Sequence, residues 1–547
     1  MHLSTNQPDC VVVAGMHRSG TSLVAGLLRT LGIGMGSRLV PADRANPQGY
    51  FEDRDMVDFH QRVFQRRFAD ERTGHPDWGW TPAASVHPDD ARPFVADATA
   101  LVARRSAAGY PWGFKDPRTT VLLDFWHALL PSPVYIGVYR EPSAVAQSMQ
   151  RLGADVFLRH PDYARKIWGF YNQYLLNFAR RHRERMVLVN ADALRTDVER
   201  LPGLLRARLG LPVPEANLRA RAIPSLLRRS DHGATLTRLS RWVWPECATL
   251  YDELEAIADM PAATSATATP AFRFQPRVPS GELSVVIPTH NDATLLVEAL
   301  ASAVDSTPDH HEILVLDDGT TDAESLRILD RLRAAGLSIP RQENRGLPVA
   351  RNTLIRAASG RLILPLDADN LIGNGFVEAA IDAFHADPGL GVVYGDRQTF
   401  GGQTALLLVP DFDLHRMRQG NTIDACAMFR RELWTDVGGY DESLRLGFED
   451  WEFWLHAGKR GWRFQHLPMI GVEYRVRPDS LLTRAQSPEG RSQFRALMMR
   501  KHPDLVLALL PIWYRAACRI RPPLRSTRPA LGWWRRRIVE AHLRRVW

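Results

Sequence analysis

The chain has 547 residues, of which 45% are hydrophobic and 24% are charged, and its formal net charge is +8. This length exceeds what one hydrophobic core usually organises, and the composition excludes general intrinsic disorder, so we expect two or more globular domains. Four of the 69 basic residues are lysines. The abundant arginines suit phosphate or sulfate ligands, although a genomic bias toward arginine is an alternative explanation.

The cysteines and the hydropathy pattern bear on the compartment. Cys10, Cys247, Cys426 and Cys518 lack metal-type spacing and are too few for a disulfide framework. The N-terminus has no basic segment followed by a long apolar core, and no stretch approaches the roughly 20 apolar residues of a membrane span. We therefore expect a cytoplasmic protein.

In the first half of the chain, apolar strands alternate with helices. Cys10 to Ala14 predicts a buried strand, and Ser22 to Leu31 predicts the helix that follows it. Val134 to Tyr139 predicts another strand, followed by a helix from Ser143 toward Leu152. This alternation indicates an α/β fold with a parallel sheet.

The glycine-rich segment GMHRSGTS joins the first predicted strand to the first predicted helix. Its candidate phosphate-binding residues are Gly15, His17, Arg18, Ser19, Gly20, Thr21 and Ser22. Loop amides and a helix N-terminus in this position form a cradle for an oxyanion. The spacing is similar to a Walker A loop, but Thr21 stands at the lysine position, which argues against an ATPase or kinase. A simple glycine-rich turn remains the alternative.

Three further segments follow this loop: NPQGYFED from Asn46 to Asp53, GFKDPR from Gly113 to Arg118, and YREPSAVAQSMQR from Tyr139 to Arg151. Together with the loop they resemble carbohydrate sulfotransferases that use 3′-phosphoadenylyl sulfate (PAPS). The resemblance covers roughly residues 8–250. It implies a P-loop-like parallel sheet, the sulfotransferase fold, with PAPS as the sulfuryl donor and with Arg140 and Ser148 at its 3′-phosphate.

Sulfuryl transfer needs charge stabilisation on the transferring group and a base for the acceptor hydroxyl. Arg18 and the loop amides would supply the first. By the same resemblance, Glu52 is the base, and its alternative role is that of a solvated loop carboxylate. The competing bases are Asp53, His17 and Asp116. Lys115 would bind a sulfuryl oxygen or, alternatively, pair with the neighbouring Asp116.

A change in composition separates the two halves. Pro261 to Ser280 is rich in proline, alanine, serine and threonine and lacks apolar periodicity, which predicts a linker. We predict a first domain over residues 1–255, a linker over 256–280, a second domain over 281–503 and a tail over 504–547. The second domain again alternates strands with helices, which predicts a second α/β fold.

Acidic residues follow the predicted strands of the second domain. EILVLDDGTTD places Asp317, Asp318 and Asp322 at the carboxyl end of a strand, where α/β sheets bind ligands. LILPLDADN ends in Asp367 and Asp369, which would point the same way in a strand. Their oxygens suit Mg²⁺ or Mn²⁺, and such a metal would neutralise a nucleoside diphosphate leaving group.

These segments, with VVIPTHN, NRGLPVARN and LGFEDWEFW, closely resemble inverting family 2 glycosyltransferases over roughly residues 283–480. The resemblance implies a Rossmann-like GT-A fold, a nucleotide-diphosphate sugar as donor and a carbohydrate or glycolipid acceptor. It makes Asp450 the general base, supported by Glu449. The further donor-binding residues that it implies are Pro288, Asn291 and Arg351. His290 departs from the aromatic residue that is usual before Asn291.

The chain ends in a basic and aromatic tail, LGWWRRRIVEAHLRRVW. Such a tail either lies on an anionic membrane surface, here the inner face, or packs its tryptophans against the second domain. No nucleic-acid-binding module accompanies the charge, so we expect no nucleic-acid partner.

The sequence therefore predicts a bifunctional transferase that builds a sulfated glycan, glycolipid or glycosylated metabolite. In the alternative hypothesis only the glycosyltransferase is active, and the first domain is a binding or scaffold module.

Overall fold

The computed structural model describes residues 8–43, 46, 49–68, 76–107, 111–215, 218, 233–262, 273–274, 281–307 and 311–505. The chain divides into two compact units, Met1–Ala271 and Phe272–Trp547. Most of the predicted linker and nearly all of the predicted tail lie outside the described residues. Across the described residues, no helix has both the length and the apolar character that crossing a membrane requires.

The N-terminal unit contains a parallel sheet with the strand order β2-β1-β3-β4. Its strands are β1 Cys10–Ala14, β2 Trp112–Lys115, β3 Pro133–Tyr139 and β4 Met186–Asn190. Every residue of these strands is buried, as expected for a parallel sheet that is covered on both faces. The register pairs Val13 with Lys115 and Ala14 with Gly137, so the carboxyl ends of three strands share one edge.

Helices connect and cover these strands. They are α1 Thr21–Thr30, α2 Arg54–Arg67, α3 Val95–Ser106, α4 Leu123–Leu129, α5 Pro142–Leu152, α6 Asp155–Arg159, α7 Tyr163–Arg181, α8 Ala193–Thr196, α9 Arg200–Leu209, α10 Ala234–Val243 and α11 Pro245–Ile257. Short 3-10 helices span Pro76–Trp78, Pro88–Phe94, Pro117–Thr120 and Arg183–Arg185. The strand and helix alternation that the sequence predicts for this half is confirmed.

Ordered structure continues into the first residues of the predicted linker. The buried carboxylate of Glu255 accepts hydrogen bonds from Tyr139 Oη at 2.8 Å and Asn190 Nδ2 at 2.5 Å. Asn190 N then donates to Met260 O at 2.9 Å. Residues up to Ala262 therefore pack against the edge of the N-terminal sheet.

The C-terminal unit contains a mixed sheet with the order β7-β6-β5-β8-β12-β10-β13-β9, and β11 pairs with β10. Its strands are β5 Leu283–Thr289, β6 Glu312–Asp318, β7 Arg341–Gln342, β8 Leu362–Pro365, β9 Leu371–Ile372, β10 Leu390–Gly401, β11 Ala405–Leu407, β12 Met428–Arg430 and β13 Arg463–Val476. Strands β5 to β8 pair in parallel, which is the Rossmann-like part of the sheet.

The helices of this unit are α12 Ala293–Ser306, α13 Ala323–Ala334, α14 Leu347–Ala357, α15 Phe376–Ala386, α16 Leu414–Met417, α17 Arg431–Val437, α18 Glu449–Lys459, α19 Leu481–Ala485 and α20 Pro488–Lys501. Helices α14 and α18 contribute Ile355, Phe453 and Trp454 to one buried apolar cluster. The predicted α/β class of the second domain is confirmed.

Asp367 and Asp369 lie in a turn, whereas the sequence predicts that they end a strand. Strand β8 stops at Pro365, and Asn370 N donates to Asp367 O at 3.1 Å, which closes the turn. Leu366 N still donates to Val286 O of β5 at 3.0 Å, so the chain leaves the sheet after Leu366. The two carboxylates therefore share one edge of the sheet because of this turn and not because of strand alternation.

Candidate active sites

The glycine-rich loop of the N-terminal unit lies between β1 and α1. Gly15 and Gly20 have φ angles of 148° and 92°, and a Cβ atom on Gly15 would lie 2.1 Å from Val138 O. Gly15 N donates to Thr120 Oγ1 at 2.7 Å, which ties the loop to the segment after β2. Both positions require glycine because a side chain would strain the backbone, and the one on Gly15 would collide with β3.

The remaining loop residues present polar groups at the start of α1. Ser19 Oγ is buried and has no hydrogen-bond partner among the described residues. Thr21 is buried as the first residue of α1. Ser22 Oγ donates to Tyr50 O at 3.3 Å and accepts from Asn46 Nδ2 at 3.3 Å. A buried hydroxyl without a partner in such a loop fits an anionic ligand that would accept from it.

Two guanidinium groups lie close together beside this loop. Arg18, whose φ is 65°, donates from Nε to Ser148 Oγ at 2.9 Å. Burial lowers the pKa of Arg18, and the nearby Arg140 cation adds to this effect. Arg140 Nε lies 3.5 Å from Asp192 Oδ2. Arg18 therefore contacts Ser148 and lies near Arg140, the two residues predicted to bind the 3′-phosphate, and such a pair of cations suits a multiply charged anion.

Lys115 forms a buried ion pair with Glu52. Lys115 Nζ lies 2.5 Å from Glu52 Oε1, and the two side chains are 2% and 11% exposed. The ammonium group also donates to Ser22 Oγ at 3.2 Å and Tyr50 O at 3.3 Å. The alternative pairing of Lys115 with Asp116 is therefore wrong. The candidate base and the candidate sulfuryl-binding cation contact each other directly.

Asp116 is instead held by two other groups. Its carboxylate accepts from Arg118 N at 3.0 Å and lies 2.9 Å from His60 Nδ1. Trp126 Nε1 donates to His60 Nε2 at 2.9 Å, so the proton of a neutral His60 is on Nδ1. Burial raises the pKa of Asp116, but Arg118 and His60 outweigh it and hold that pKa well below its usual range. This anion organises the segment after β2.

The two other competing bases also make structural contacts. Asp53 caps α2 by accepting from Asp55 N at 3.0 Å, and it pairs with Arg105. The ring of His17 lies against Trp78, with 4.0 Å between the ring centroids. Glu52 is thus the candidate base that contacts Lys115, the candidate sulfuryl-binding cation.

In the C-terminal unit, Arg351 on α14 joins two of the predicted functional segments. Its guanidinium donates to Glu449 Oε1 and to Asp367 Oδ1, each at 2.5 Å, and its side chain is 1% exposed. Burial lowers the pKa of Arg351, but Asp367 and Glu449 outweigh burial and raise it. Arg351 therefore links the Asp367 turn to the start of α18.

Asp369 lies beside a second arginine. Arg477 NH1 donates to Asp369 Oδ2 at 3.3 Å and to Asp292 Oδ1 at 2.9 Å. Burial, with the nearby Asp292 and Asp367 carboxylates, raises the pKa of Asp369 to about 6 against the effect of Arg477. Since Arg351 and Arg477 each take one oxygen, the other oxygen of Asp367 and of Asp369 stays available. Two carboxylates that each offer an oxygen are a donor set that fits Mg²⁺ or Mn²⁺.

The segments after β5 and β6 hold each other through Asn291. Its backbone has a φ of 59°, and its Oδ1 accepts from Thr321 N at 2.8 Å and Asp322 N at 2.9 Å. Asp322 in turn caps α13 by accepting from Ser325 N at 2.7 Å. Pro288 precedes Asn291 in the sequence and lies within β5. The structure thus brings together Asn291 and Asp322, two of the predicted nucleotide-binding residues.

Asp317 and Asp318 are occupied within the protein. Asp317 is fully buried, accepts from Thr320 N at 2.8 Å and pairs with Arg341 at 3.2 Å. Asp318 Oδ2 accepts from Gly346 N at 2.9 Å. These contacts shape the edge of the site, and direct nucleotide binding by either carboxylate stays a prediction.

Glu449 and Asp450 begin α18. Phe448 precedes them with a φ of 68°, and Glu449 turns into the core toward Arg351, while its Oε2 is buried without a hydrogen-bond partner among the described residues. Asp450 is half-buried, and Trp451 N donates to its Oδ1 at 2.8 Å. Burial and the neighbouring Glu449 carboxylate raise the pKa of Asp450 to about 7. A carboxylate with this pKa can accept a proton near neutral pH.

Other side chains at this site were not predicted from the sequence. Asn421 Nδ2 donates to Asp450 Oδ2 at 2.8 Å, and Arg397 NH1 donates to Asp424 Oδ2 at 3.3 Å. Arg477 is also new. None of these residues lies in a motif of fixed spacing. They reach the site through the tertiary fold, which a local sequence pattern does not indicate.

A group of possible metal ligands lies farther along α18. Ligand atoms of Glu452, His456 and His502 are within 4.8 Å of one another. However, Lys501 Nζ lies 3.1 Å from Glu452 Oε1, and His502 Nε2 lies 2.6 Å from the same oxygen. This ammonium already neutralises Glu452, so the group is better described as a polar network that joins α18 to α20.

Two family models match separate parts of the chain. The model of the sulfotransferase family matches residues 8–215, and that of glycosyl transferase family 2 matches residues 284–436. Among solved structures, part of this chain is similar to TarS of S. aureus in complex with UDP-GlcNAc. The identity is 20% and the TM-score is 0.34, over 43% of this chain and 69% of that one.

Several curated proteins are also similar to part of this chain. The chondroitin synthase of Escherichia coli is 29% identical over 197 residues, which is 34% of this chain and 28% of the relative. The succinoglycan biosynthesis protein ExoU of Rhizobium meliloti is 30% identical over 224 residues, which is 37% of this chain and 64% of the relative. The chain thus spans less than two thirds of the length of either relative. One segment of this chain is therefore matched by the sulfotransferase family model and a separate, later segment by the model of glycosyl transferase family 2, in agreement with the fusion that the sequence predicts.

Proposed function

We propose that the C-terminal unit transfers a sugar from a nucleoside diphosphate to a carbohydrate hydroxyl, and that the N-terminal unit transfers a sulfuryl group from PAPS. The observation that carries the first activity is the position of Asp450 at the start of α18, joined to the Asp367 turn through Glu449 and Arg351. The acceptor class follows the relatives named for chondroitin and succinoglycan synthesis.

In the glycosyl transfer, Asp450 removes the proton of the acceptor hydroxyl. The hydroxyl oxygen then forms a bond to the anomeric carbon while the bond from that carbon to the diphosphate breaks, so the configuration inverts. Asp367 and Asp369 would hold Mg²⁺ or Mn²⁺, which supplies positive charge to the leaving diphosphate. Arg351 keeps Glu449 and Asp367 in place, because its guanidinium donates to both carboxylates.

In the sulfuryl transfer, the loop amides, with Arg18, Arg140 and Ser148, bind the phosphates of PAPS. Lys115 stabilises the charge on the sulfuryl oxygens, and Glu52 accepts the proton of the acceptor hydroxyl. The acceptor oxygen forms a bond to sulfur, and the bond from sulfur to the phosphate oxygen breaks. The leaving product is 3′-phosphoadenosine 5′-phosphate (PAP).

The alternative is that the N-terminal unit binds without catalysis. The observation that favours it is the direct ion pair of Lys115 with Glu52. While this pair is intact, Lys115 is bound to Glu52 and not to a sulfuryl oxygen, and Glu52 is bound to Lys115 and not to an acceptor hydroxyl. Under this alternative PAP or a related anion still binds, but sulfuryl transfer does not occur.

Calorimetric titration of the full chain tests the two sites independently. We expect PAP to bind, and Arg18→Ala but not Asp369→Ala to weaken it. We expect UDP with Mn²⁺ to bind, and Asp369→Ala but not Arg18→Ala to weaken it. The matched controls are Arg29→Ala and Asp382→Ala, which change exposed residues of α1 and α15. Loss of one ligand in wild type would remove that activity from the proposal, and PAP binding without sulfuryl transfer would favour the scaffold.

A further inference from the structure

The carboxylate of Asp450 has one hydrogen-bond donor on each oxygen. Trp451 N donates to Oδ1 at 2.8 Å, and Asn421 Nδ2 donates to Oδ2 at 2.8 Å. The first donor belongs to the next residue and moves with α18. The second comes from the segment between α16 and β12, so Asn421 fixes the carboxylate from outside its own helix.

The orientation of the Asn421 amide follows from its other contact. Asn421 Oδ1 accepts from Ile423 N at 3.2 Å, which leaves the nitrogen to face Asp450. Oxygen and nitrogen of an amide are assigned from such contacts, and here the backbone N–H requires the oxygen on its side. The segment itself is anchored nearby, because Met417 O accepts from Trp451 Nε1 at 2.6 Å. The amide is thus held in a donating position.

Asn421 is exposed, and its contact adds little to the core. An exposed amide beside a half-buried carboxylate is accessible to a ligand, unlike the buried contact of Glu449 with Arg351. Since Asp450 Oδ2 can still accept a second hydrogen bond, the acceptor hydroxyl can approach that oxygen while Asn421 remains bound to it.

We propose that Asn421 is a positioning residue for Asp450, whose amide holds the carboxylate ionised and oriented toward the acceptor hydroxyl. The inference rests on the proposed glycosyl transfer at this site. It assigns to Asn421 no contact with the reacting atoms, because it acts through the base.

The charges around Asp450 determine the direction of the effect. Glu449 on the same helix and Asp424 on the neighbouring segment disfavour a second negative charge, whereas Arg351 on α14 favours it. Asn421 adds a donor to the ionised form, and a donor to a charged group lowers the pKa of a carboxyl. Removal of Asn421 therefore raises the pKa of Asp450, and the rise of kcat/KM with pH moves to higher pH.

The experiment measures kcat/KM and kcat against pH for the full chain with a panel of UDP-sugars and Mn²⁺, by release of UDP. Asn421→Ala should lower kcat/KM by about tenfold below the midpoint of the profile, with little change well above it, because a hydrogen bond to a charged group has about that effect. Asn421→Asp should shift the profile further, since it adds a like charge. Gln419→Ala, an exposed change two residues away that contacts His415, is the control.

The outcomes separate this inference from the proposed function. If Asp450→Asn abolishes turnover and Asn421→Ala leaves the pH profile in place, Asn421 is not a positioning residue, although the proposed function stands. A loss that is equal at every pH means that Asn421 does not stabilise the ionised carboxylate, and it also overturns the inference. If Asp450→Asn retains full turnover, the proposed function fails first. Carboxyl-carbon NMR titration of the Asp450 resonance, assigned by its absence in Asp450→Asn, tests the change in pKa without turnover.

Discussion

Lys115 Nζ lies 2.5 Å from Glu52 Oε1, and both side chains are almost fully removed from solvent. A buried ion pair adds little stability compared with a pair of apolar side chains in the same place. The loss of one partner, however, leaves an uncompensated buried charge. The pair therefore holds the two catalytic candidates together in direct contact. A PAPS sulfonate near Lys115 would compete with Glu52 for the ammonium group, which would free the carboxylate to act as a base.

Removal of one member of this pair should destabilise the N-terminal unit. We expect Lys115→Met to lower the free energy of unfolding by about 3 kcal/mol, because Glu52 stays buried without a partner. The double change Lys115→Met with Glu52→Gln should recover most of this loss, since no charge is then left buried. Scanning calorimetry of the full chain measures the difference. Equal destabilisation by the single and double changes would contradict the ion-pair explanation.

Glu52→Gln should separate binding from catalysis. It removes the base, so sulfuryl transfer to a carbohydrate acceptor should fall by about 100-fold or more. PAP affinity should change little, because the loop and Arg18 are intact. The measurement pairs the rate of PAP release from PAPS with calorimetric titration of PAP. A variant that retains the wild-type rate would assign the proton transfer to another group.

Ser148→Ala tests whether the contact of Arg18 with Ser148 organises the phosphate site. The change removes the acceptor of the 2.9 Å bond from Arg18 Nε and one hydroxyl near the ligand. We expect PAP to bind about tenfold more weakly, and Arg18→Ala to have a larger effect because it removes a charge. The double variant should lose less than the sum of the two single losses, since Arg18 and Ser148 are joined by a hydrogen bond. Additive losses would show that they act separately.

The sequence indicated the fold and the motif residues but not the contacts between motifs. The strand-loop-helix segments at Gly15 and Asp317 have strong local signals in glycine, apolar runs and acidic ends, and both lie where expected. The pairing of Lys115 with Glu52 joins residues 63 positions apart, so no local pattern could indicate it. The same holds for Asn421, which has no motif around it and reaches Asp450 only through the chain path.

One error had a local cause. The strand before Asp367 ends at Pro365, and the following turn, not a strand face, brings Asp367 and Asp369 to one edge. Asp367 and Asp369 still lie close together, as the sequence predicts, because a short turn also keeps alternate residues close. Pro365 did not signal the turn, since Leu366 N still donates to Val286 O beyond it at 3.0 Å.

Removal of divalent metal should abolish tight UDP binding at the C-terminal unit. Asp369 and Asp367 are the candidate ligands, and without a cation their charges repel a diphosphate. We expect the transition of this unit to rise in temperature with UDP and Mn²⁺ together, but not with UDP and EDTA. Asp382→Ala, an exposed change on α15, should behave as wild type. Equal stabilisation by UDP in EDTA would indicate metal-independent binding.

Arg351→Lys should be a poor substitute although it keeps the charge. The guanidinium spans Glu449 and Asp367, whereas an ammonium group is a single point of charge that cannot donate to both in the same geometry. We expect turnover to fall by about 100-fold, because Glu449 and the Asp367 turn lose their common partner. Circular dichroism and the unfolding temperature serve as controls on folding. Turnover close to wild type would remove Arg351 from the site.

Asp450→Asn should make the protein more stable at high pH while it abolishes glycosyl transfer. The pKa of Asp450 is raised to about 7 in the folded protein, chiefly by burial, whereas an unfolded aspartate titrates near about 3.9. The folded state therefore binds more protons than the unfolded state between about pH 4 and about pH 7, so the contribution of this group to stability falls as pH rises through that window. Asparagine has no such titration.

We expect Asp450→Asn to exceed wild type in stability by of order 1 kcal/mol at about pH 8 and to approach it near about pH 4. Urea unfolding at both pH values measures the difference, with Asp382→Asn as the exposed control. A stability difference that is the same at both pH values would mean that Asp450 does not titrate in this range, and its part as a base near neutral pH would lose its electrostatic support.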